Sequence, residues 1–208
     1  LEDQELLVAE RQDPYLRSHP LTRDRISFVR NFVETSTYPT IISDEAELMA
    51  HRRMVAKLYA YLNSPGKTLR IYREDDTSLP ARYARVIAYY RIPDVERAIS
   101  ELDGLLLEFP DDPWFQELKG QILFENGHIA LSIPPYEKAV ALRPKEPLLR
   151  LGLARALIEI NEPGFTKKAI EHLIVATRAE PNYAPHWHFL GIAYGRDEQL
   201  AQSSLALA

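Results

Sequence analysis

The feature that most constrains this chain is a repeated spacing of prolines and small residues through its C-terminal two-thirds. Pro110 and Pro144 are 34 residues apart, and Pro181 follows 37 residues later, after a three-residue insertion around 162–164. Proline stops a helix, because it lacks an N–H and disfavours helix at the residue before it. A small side chain lets two antiparallel helices approach closely. One position of each period carries such a residue: Gly120, Ala154 and Gly191. The pattern predicts stacked helix hairpins.

The last period also carries a more specific motif, Trp187-x-x-Leu190-Gly191-x-x-Tyr194. With a period of about 34 residues, this motif is the opening signature of a tetratricopeptide (TPR) helix pair. We therefore predict an all-α protein, an α-α superhelix (TPR solenoid) preceded by two or three non-repeat helices. The alternative is a generic helical bundle with coincidental spacing. Small, aromatic and proline positions recur in the same register in four repeats, which argues against that alternative.

The repeat register predicts the bounds of about four helix pairs. These are 81–91 with 95–109, 114–126 with 133–142, 148–160 with 167–178, and a fourth pair that opens at Pro185. Pro134 and Pro135 fall where the second helix of a pair should already have begun. Since proline is tolerated in the first turn of a helix, we expect that helix to start late, near Ser132.

Three further helices are predicted ahead of the repeats, at 1–12, 22–34 and 44–62, with residues 67–78 as a polar surface connector. Apolar residues recur at helical spacing in two of them, which predicts a buried face on each. For the helix at 22–34 the stripe is Ile26, Val29, Phe32 and Val33; for the helix at 44–62 it is Leu48, Val55, Leu58 and Leu62.

Composition excludes several classes of function. The formal net charge of −5 argues against nucleic acid as a partner, because phosphate binding needs clustered Lys and Arg. The chain has no cysteine, so disulfides and thiolate chemistry are excluded. No apolar run approaches the ~20 residues of a transmembrane span, and none is predicted. The sequence begins at Leu1 rather than at a methionine, so we expect it to belong to a longer protein.

The stretch DPYLRSHPLT at 13–22, followed by Arg25-Ile26, carries a second, more specific similarity. It resembles the end of the protease domain in BepA-like, HtpX-related bacterial zinc metallopeptidases, which carry a C-terminal TPR domain. The segments SLPARYARVIAYYR, ELKGQILFENG and IPPYEKAVALRP resemble the alphaproteobacterial branch of this family. The resemblance implies a tail of the peptidase domain with a His-Pro loop at 1–42, a linking helix and connector at 43–79, and a TPR domain at 80–208.

This resemblance implies a periplasmic zinc metallopeptidase of outer-membrane protein quality control, whose TPR region recruits substrates or partners. The HExxH pair that binds zinc in such enzymes is absent here. We therefore expect no catalytic residue, no cofactor and no peptidase activity in this chain, and zinc in the longer protein. In the family the His-Pro loop borders the active-site cleft, so His19 could approach or ligate that zinc. The alternative is a loop histidine without a role in this chain.

The concave face of a TPR array is lined by the first helix of each pair, and we expect a protein or peptide to bind there. Aromatic and amphipathic side chains suit such binding. The alternative is that some of these residues, Ile87 and Ile192 especially, only pack against an adjoining helix. The repeat register assigns nine residues to this groove: Tyr83, Ile87, Tyr90, Trp114, Glu117, Gln121, Arg155, His188 and Ile192.

A free-standing TPR adaptor or co-chaperone is the second functional hypothesis. Adaptors that hold chaperone tails resemble one another in a carboxylate clamp of Lys and Asn on successive first helices. The equivalent positions here offer no such clamp, and Glu117 would repel a carboxylate. These positions are Tyr83, Ile87, Glu117, Gln121 and Leu151. The sequence therefore favours the protease-associated hypothesis.

Overall fold

The computed structural model describes residues 22–37, 44–160 and 162–208, and all regular secondary structure within these ranges is α-helical. The chain divides into two compact units, Leu1–Asp44 and Glu45–Ala208. The first unit contributes α1 (Thr22–Thr35). The second contributes α2 (Glu45–Leu62), α3 (Pro65–Ile71), α4 (Leu79–Arg91), α5 (Val95–Glu108), α6 (Pro113–Glu125), α7 (Ile129–Leu142), α8 (Pro147–Ile160), α9 (Pro163–Ala179), α10 (Ala184–Arg196) and α11 (Leu200–Leu207).

From Leu79 onward, the chain forms four consecutive antiparallel hairpins, α4–α5, α6–α7, α8–α9 and α10–α11. The prediction of an all-α TPR superhelix is confirmed. Helix starts follow the sequence signals, because Asp112 caps α6 by accepting from the N–H groups of Trp114 (2.9 Å) and Phe115 (3.0 Å). A proline occupies the first turn of α4, α6, α9 and α10, where its missing N–H does no harm.

Close packing between the middle hairpins depends on two glycines. The ring of Tyr136, on α7, lies between Gly120 of α6 and Gly152 of α8. A Cβ atom added at Gly120 would lie 2.7 Å from this ring, and one added at Gly152 would lie 2.8 Å from it. Both distances are too short for a real contact. Glycine at these two positions therefore sets how closely neighbouring hairpins approach.

The predicted late start of α7 is wrong, because this helix begins at Ile129 and contains both Pro134 and Pro135. Its first turn is closed by the N–H of Ser132, which donates to the carbonyl of His128 (3.0 Å). The Ser132 hydroxyl also donates to the carbonyl of Ile129, at 2.7 Å. The two prolines remove only the backbone bonds to the carbonyls of Ala130 and Leu131, which are exposed residues near the start of the helix, so these carbonyls can be solvated.

The predicted connector at 67–78 is wrong in its first part, where the short helix α3 packs against α4. Pro65 starts this helix in a position that suits proline. The loop that follows is held by Arg85 of α4. This buried side chain donates to the main-chain carbonyls of Arg73 and Asp76, the latter at 2.8 Å.

The predicted buried stripe of α2 is also wrong, because the exposed fractions of Leu48, Val55, Leu58 and Leu62 run from 38% to 81%. The buried residues of this helix are instead Ala56 and Ala60. Helices approach closely where side chains are small, so α2 packs on α4 through its alanines and turns its leucines outward.

Helix α1 occupies the range expected from the sequence, but its predicted apolar stripe is not buried. Val29, Phe32 and Val33 are each about 60% exposed, and Ile26 is half-buried. A helix buries an apolar stripe only against a partner, and the described residues of this unit form none. His19 and the helix predicted at 1–12 lie outside the described residues.

Candidate partner-binding groove

The second unit places α2 against α4 and α6, the first helices of two hairpins. Tyr83 and Ile87 of α4 point to this face in the repeat register, and they are 2% and 0% exposed. They share one hydrophobic cluster with Ala56 and Ala60 of α2. We call this region, α2 with α4 and the first turns of α6, the covered half of the groove.

Arg53 fixes α2 to the start of α6. Its guanidinium donates two hydrogen bonds to the carboxylate of Asp112, one of them at 2.8 Å. The guanidinium carbon also lies 4.0 Å from the centre of the Phe115 ring and 5.1 Å from that of Tyr83. Both ion-pair partners are less than one-fifth exposed. An ion pair that is bidentate, largely buried and stacked on aromatic rings holds α2 in a fixed position, which an exposed surface pair would not do.

A shallow pocket remains where α2 meets the first turns of α4 and α6. Its volume is about 340 Å³, and one wall is the half-buried ring of Trp114. The ammonium of Lys57 lies 6.0 Å from the centre of that ring. The lining is mostly apolar with two cations, and it consists of Ala50, Arg53, Met54, Lys57, Tyr83 and Trp114.

The floor next to this pocket carries acidic and phenolic groups whose ionisation is suppressed. Burial raises the pKa of Glu117, the nearby Glu125 raises it further, and Lys57 opposes both. Burial also raises the pKa of Tyr61 to about 12, with further increases from the two glutamates and a decrease from Arg91. This part of the groove therefore tolerates added negative charge poorly.

The middle of the groove is a closed hydrogen-bond network. The hydroxyl of Tyr90 donates to the carboxylate of Glu125. The side-chain amide of Gln121 donates to both of them, at 3.3 Å to the tyrosine oxygen and 3.0 Å to the glutamate. Burial raises the pKa of Tyr90, and the bond to Glu125 adds to the increase. The three side chains thus provide hydrogen-bond partners for one another.

Beyond this network lies a face formed by α6, α8 and α10, which we call the open half. Its centre is Arg155, whose guanidinium carbon lies 5.1 Å from the ring centre of Phe124 and 5.4 Å from that of Phe189. Ile192 is half-buried against the adjoining core, and His188 is exposed, with its ring 5.4 Å from that of Phe189. This face presents a cation between two aromatic rings.

The sequence did not point to Arg53, Lys57 and Tyr61, because the leucine stripe was assigned to the buried side of α2. The alanines at positions 56 and 60, one turn apart, were the signal for the packed side. Phe124 was also missed, although it occupies the same position in its repeat as Tyr90.

The described residues contain no group of three or more His, Asp or Glu side chains able to hold a metal ion. His186 is fully buried, and its ring nitrogens have no hydrogen-bond partner, although the Glu180 carboxylate lies 3.9 Å from Nε2. Burial lowers the pKa of this histidine, and Glu180 opposes the shift. Its ring packs edge-on against Tyr183, with 4.7 Å between centres, rather than beside His188. The described residues therefore do not fit a zinc site. Nor is any of their helices long and apolar enough to cross a membrane.

Known structures share this architecture. The MamA protein (residues 41 to the end) of Desulfovibrio magneticus RS-1 superposes with a TM-score of 0.63 and 22% identity, over 80% of this chain and 93% of that one. YrrB, titled a TPR protein with an unusual peptide-binding site, superposes with a TM-score of 0.60 and 17% identity, over 86% of this chain and 88% of that one. The chain therefore has the fold of a TPR superhelix. At such identities the likeness shows the fold alone.

One curated relative extends the similarity to the whole sequence. The Beta-barrel assembly-enhancing protease of Yersinia pestis is 29% identical over 216 aligned residues, which cover 100% of this chain and 43% of the relative. The chain thus spans less than half the length of that protein. No family model matches the sequence. Over its whole length, the chain is therefore similar to one part of that protease.

Proposed function

We propose that this chain is the substrate- or partner-recruiting TPR region of a periplasmic zinc-dependent metallopeptidase that acts in outer-membrane protein quality control. The observation that carries the proposal is the match of the complete chain to a β-barrel assembly-enhancing protease. In this proposal residues 1–42 end the peptidase domain, 43–79 link it to the repeats, and 80–208 form the TPR domain. Zinc belongs to the longer protein, where His19 could approach it.

The groove supports a recruiting role because its two halves differ in accessibility. Tyr83 and Ile87 are buried under α2, so they contribute packing rather than contact with a partner. The open half keeps Arg155, His188 and Ile192 partly or fully accessible. Aromatic rings and a guanidinium on one concave face give contact area and polar recognition together. We assign partner binding to the open half.

Reading the genomic DNA upstream of the codon for Leu1 tests the protease assignment. We expect an HExxH-encoding segment in the same reading frame, because the relative continues well beyond the matched region. A start codon at this position, with no upstream peptidase sequence, would instead favour a free-standing adaptor.

Site-specific photo-crosslinking tests the groove assignment. A photoreactive residue placed at Ile192 or Gln121, in the periplasm of a Gram-negative host, should capture polypeptides. Leu107, 86% exposed on α5, provides a matched control outside the groove. Equal capture from Leu107 and Ile192 would contradict a role for the groove.

A further inference from the structure

Arg155 is a half-buried cation of the groove, and no described residue forms an ion pair with it. Arg53 is neutralised by Asp112, and Glu125 accepts hydrogen bonds from Tyr90 and Gln121. Glu117 lies within the field of Lys57. The Arg155 guanidinium packs against the two phenylalanine rings, and its charge also lowers the pKa of the buried Tyr136, against the larger increase from burial. A half-buried cation without a counter-ion is an unusual feature, since burial penalises an unpaired charge.

The two rings preorganise the Arg155 side chain for binding. Phe124 lies on α6 and Phe189 on α10, so neighbouring hairpins hold the guanidinium of α8 from both sides. Stacking leaves the N–H groups at the edge of the guanidinium plane free to donate. A guanidinium donates two parallel bonds to a carboxylate, and little freedom is lost when its orientation is already fixed.

We propose that the open half binds an extended polypeptide segment through one internal Asp or Glu side chain, which the guanidinium of Arg155 receives. The apolar neighbours of that acid would contact Phe124 on one side and Ile192 on the other. The inference rests on the proposed recruiting function and specifies its ligand. It predicts a preference for peptides with a central acidic residue, which hydrophobic contact alone would not produce.

An internal acid fits this site better than a chain terminus or a cluster of acids. In the repeat register, groove positions continue on both sides of Arg155, with Gln121 on α6 and His188 on α10, which suits a chain that runs through the site. Glu117 and Glu125 lie on the α6 side and repel further negative charge. One acid flanked by apolar residues is therefore the expected motif.

Fluorescence anisotropy with four labelled 12-residue peptides tests the proposal on the 208-residue chain. Three peptides have amidated C-termini and share an apolar-flanked centre that differs only in one residue: Glu, Gln or Lys. The fourth has the Gln centre and a free C-terminal carboxylate. We expect the Glu peptide to bind about tenfold more tightly than the Gln peptide, as a charge-assisted bidentate bond contributes on this order. The Lys peptide should bind most weakly.

Variants of Arg155 then assign the preference to this side chain. Arg155→Gln should abolish the difference between the Glu and Gln peptides, and Arg155→Glu should reverse the order of the Glu and Lys peptides. Arg178→Gln is the matched control, because Arg178 is exposed on α9, outside the groove. It should leave the preference unchanged. Circular dichroism confirms that each variant remains helical.

The outcomes separate this inference from the proposed function. Equal binding of the Glu, Gln and Lys peptides overturns the acid preference but leaves recruitment by the groove intact. Preference for the peptide with a free terminus overturns the choice of an internal acid. Failure of every peptide to bind the folded chain, with no capture from Ile192 by photo-crosslinking, contradicts both.

Discussion

The covered and open halves of the groove occupy equivalent positions in successive repeats, yet they have opposite surroundings. Ile87 and Arg155 fall at the same position of their respective repeats. Ile87 is completely buried beneath α2, whereas Arg155 is partly exposed between two phenylalanine rings. The repeat therefore fixes which residues face the groove. The helix ahead of the repeats, α2, decides which of these residues are accessible to a partner.

The two halves also differ in what stabilises them. The covered half is built on aromatic rings around Phe115, with Tyr83 at 5.2 Å and Phe109 at 6.3 Å between centres. It is closed by the pair between Arg53 and Asp112. The open half rests on a largely aliphatic core of α8, α9 and α10, and the rings of Phe124 and Phe189 are only half-buried against it. We expect perturbations to act on the halves selectively.

The largest effect should come from deleting the ring at the centre of the covered half. Phe115→Ala should lower the free energy of unfolding by about 3–5 kcal/mol, the usual range for a fully buried phenylalanine. Phe189→Ala, in the open half, removes a half-buried ring and should lower it by about 1 kcal/mol. Urea denaturation followed by circular dichroism measures both. Equal losses would show that the two halves are not distinct.

The next effect concerns the attachment of α2. Asp112→Ala removes both the cap of α6 and the partner of Arg53, so we expect a loss of about 2–3 kcal/mol. Asp94→Ala is the matched control, because Asp94 caps α5 but pairs only with the exposed Arg97. It should lower the free energy of unfolding by less than Asp112→Ala does, because only a helix cap and an exposed ion pair are lost. Hydrogen exchange should accelerate in α2 for the first variant only, and unchanged exchange there would refute the attachment.

Alkali should weaken the covered half. Burial raises the pKa of Tyr61 to about 12 and also raises that of Tyr83. The folded state therefore holds these protons more tightly than the unfolded chain does. Their contribution to the free energy of unfolding is fully present below pH 10 and decreases as the pH rises above 10. Tyr61 alone should contribute a slope approaching ~1 kcal/mol per pH unit between pH 10 and 12. Tyr61→Phe should reduce this slope in urea titrations. An unchanged slope would show that the phenol is not protected.

Acid should weaken the open half, through His186. Burial lowers the pKa of this histidine, so the folded state disfavours the proton that the unfolded chain accepts below pH 6.5. The free energy of unfolding should therefore decrease as the pH falls through 6.5, where the unfolded chain begins to take up this proton. His186→Phe should flatten the dependence. A remaining slope is expected from His172, whose pKa is lowered by burial and by Arg150. A slope equal to that of the unmodified chain would contradict this account.

Much of the architecture could be predicted from the sequence because the signals were local. Prolines, capping acids and the Trp187 motif fix where each hairpin turns, and these features depend on a few neighbouring residues. The start of α7 could not be predicted in this way. Two prolines argue for a late start, but packing of Tyr136 against two neighbouring helices stabilises the full helix.

The site was harder to predict than the fold. Periodicity and hydrophobicity together predicted the leucine-rich face of α2 as the buried one, and the alanine face was not considered. The choice depends on how close α4 approaches, which is a tertiary property. The assignment of nine groove residues remains a prediction, and the structure divides them into buried and accessible groups. The role of His19 also remains a prediction, outside the described residues.

Asp112 both binds Arg53 of α2 and caps α6, which provides a way to follow the attachment of α2 by spectroscopy. Both oxygens of its carboxylate accept from Arg53 of α2, and one of them, Oδ1, also accepts from the N–H groups of Trp114 and Phe115 in α6. Trp114, one of two tryptophans in the chain, lies directly at that junction. Release of α2 would alter the surroundings of its indole, so intrinsic fluorescence reports whether α2 is seated without any added label.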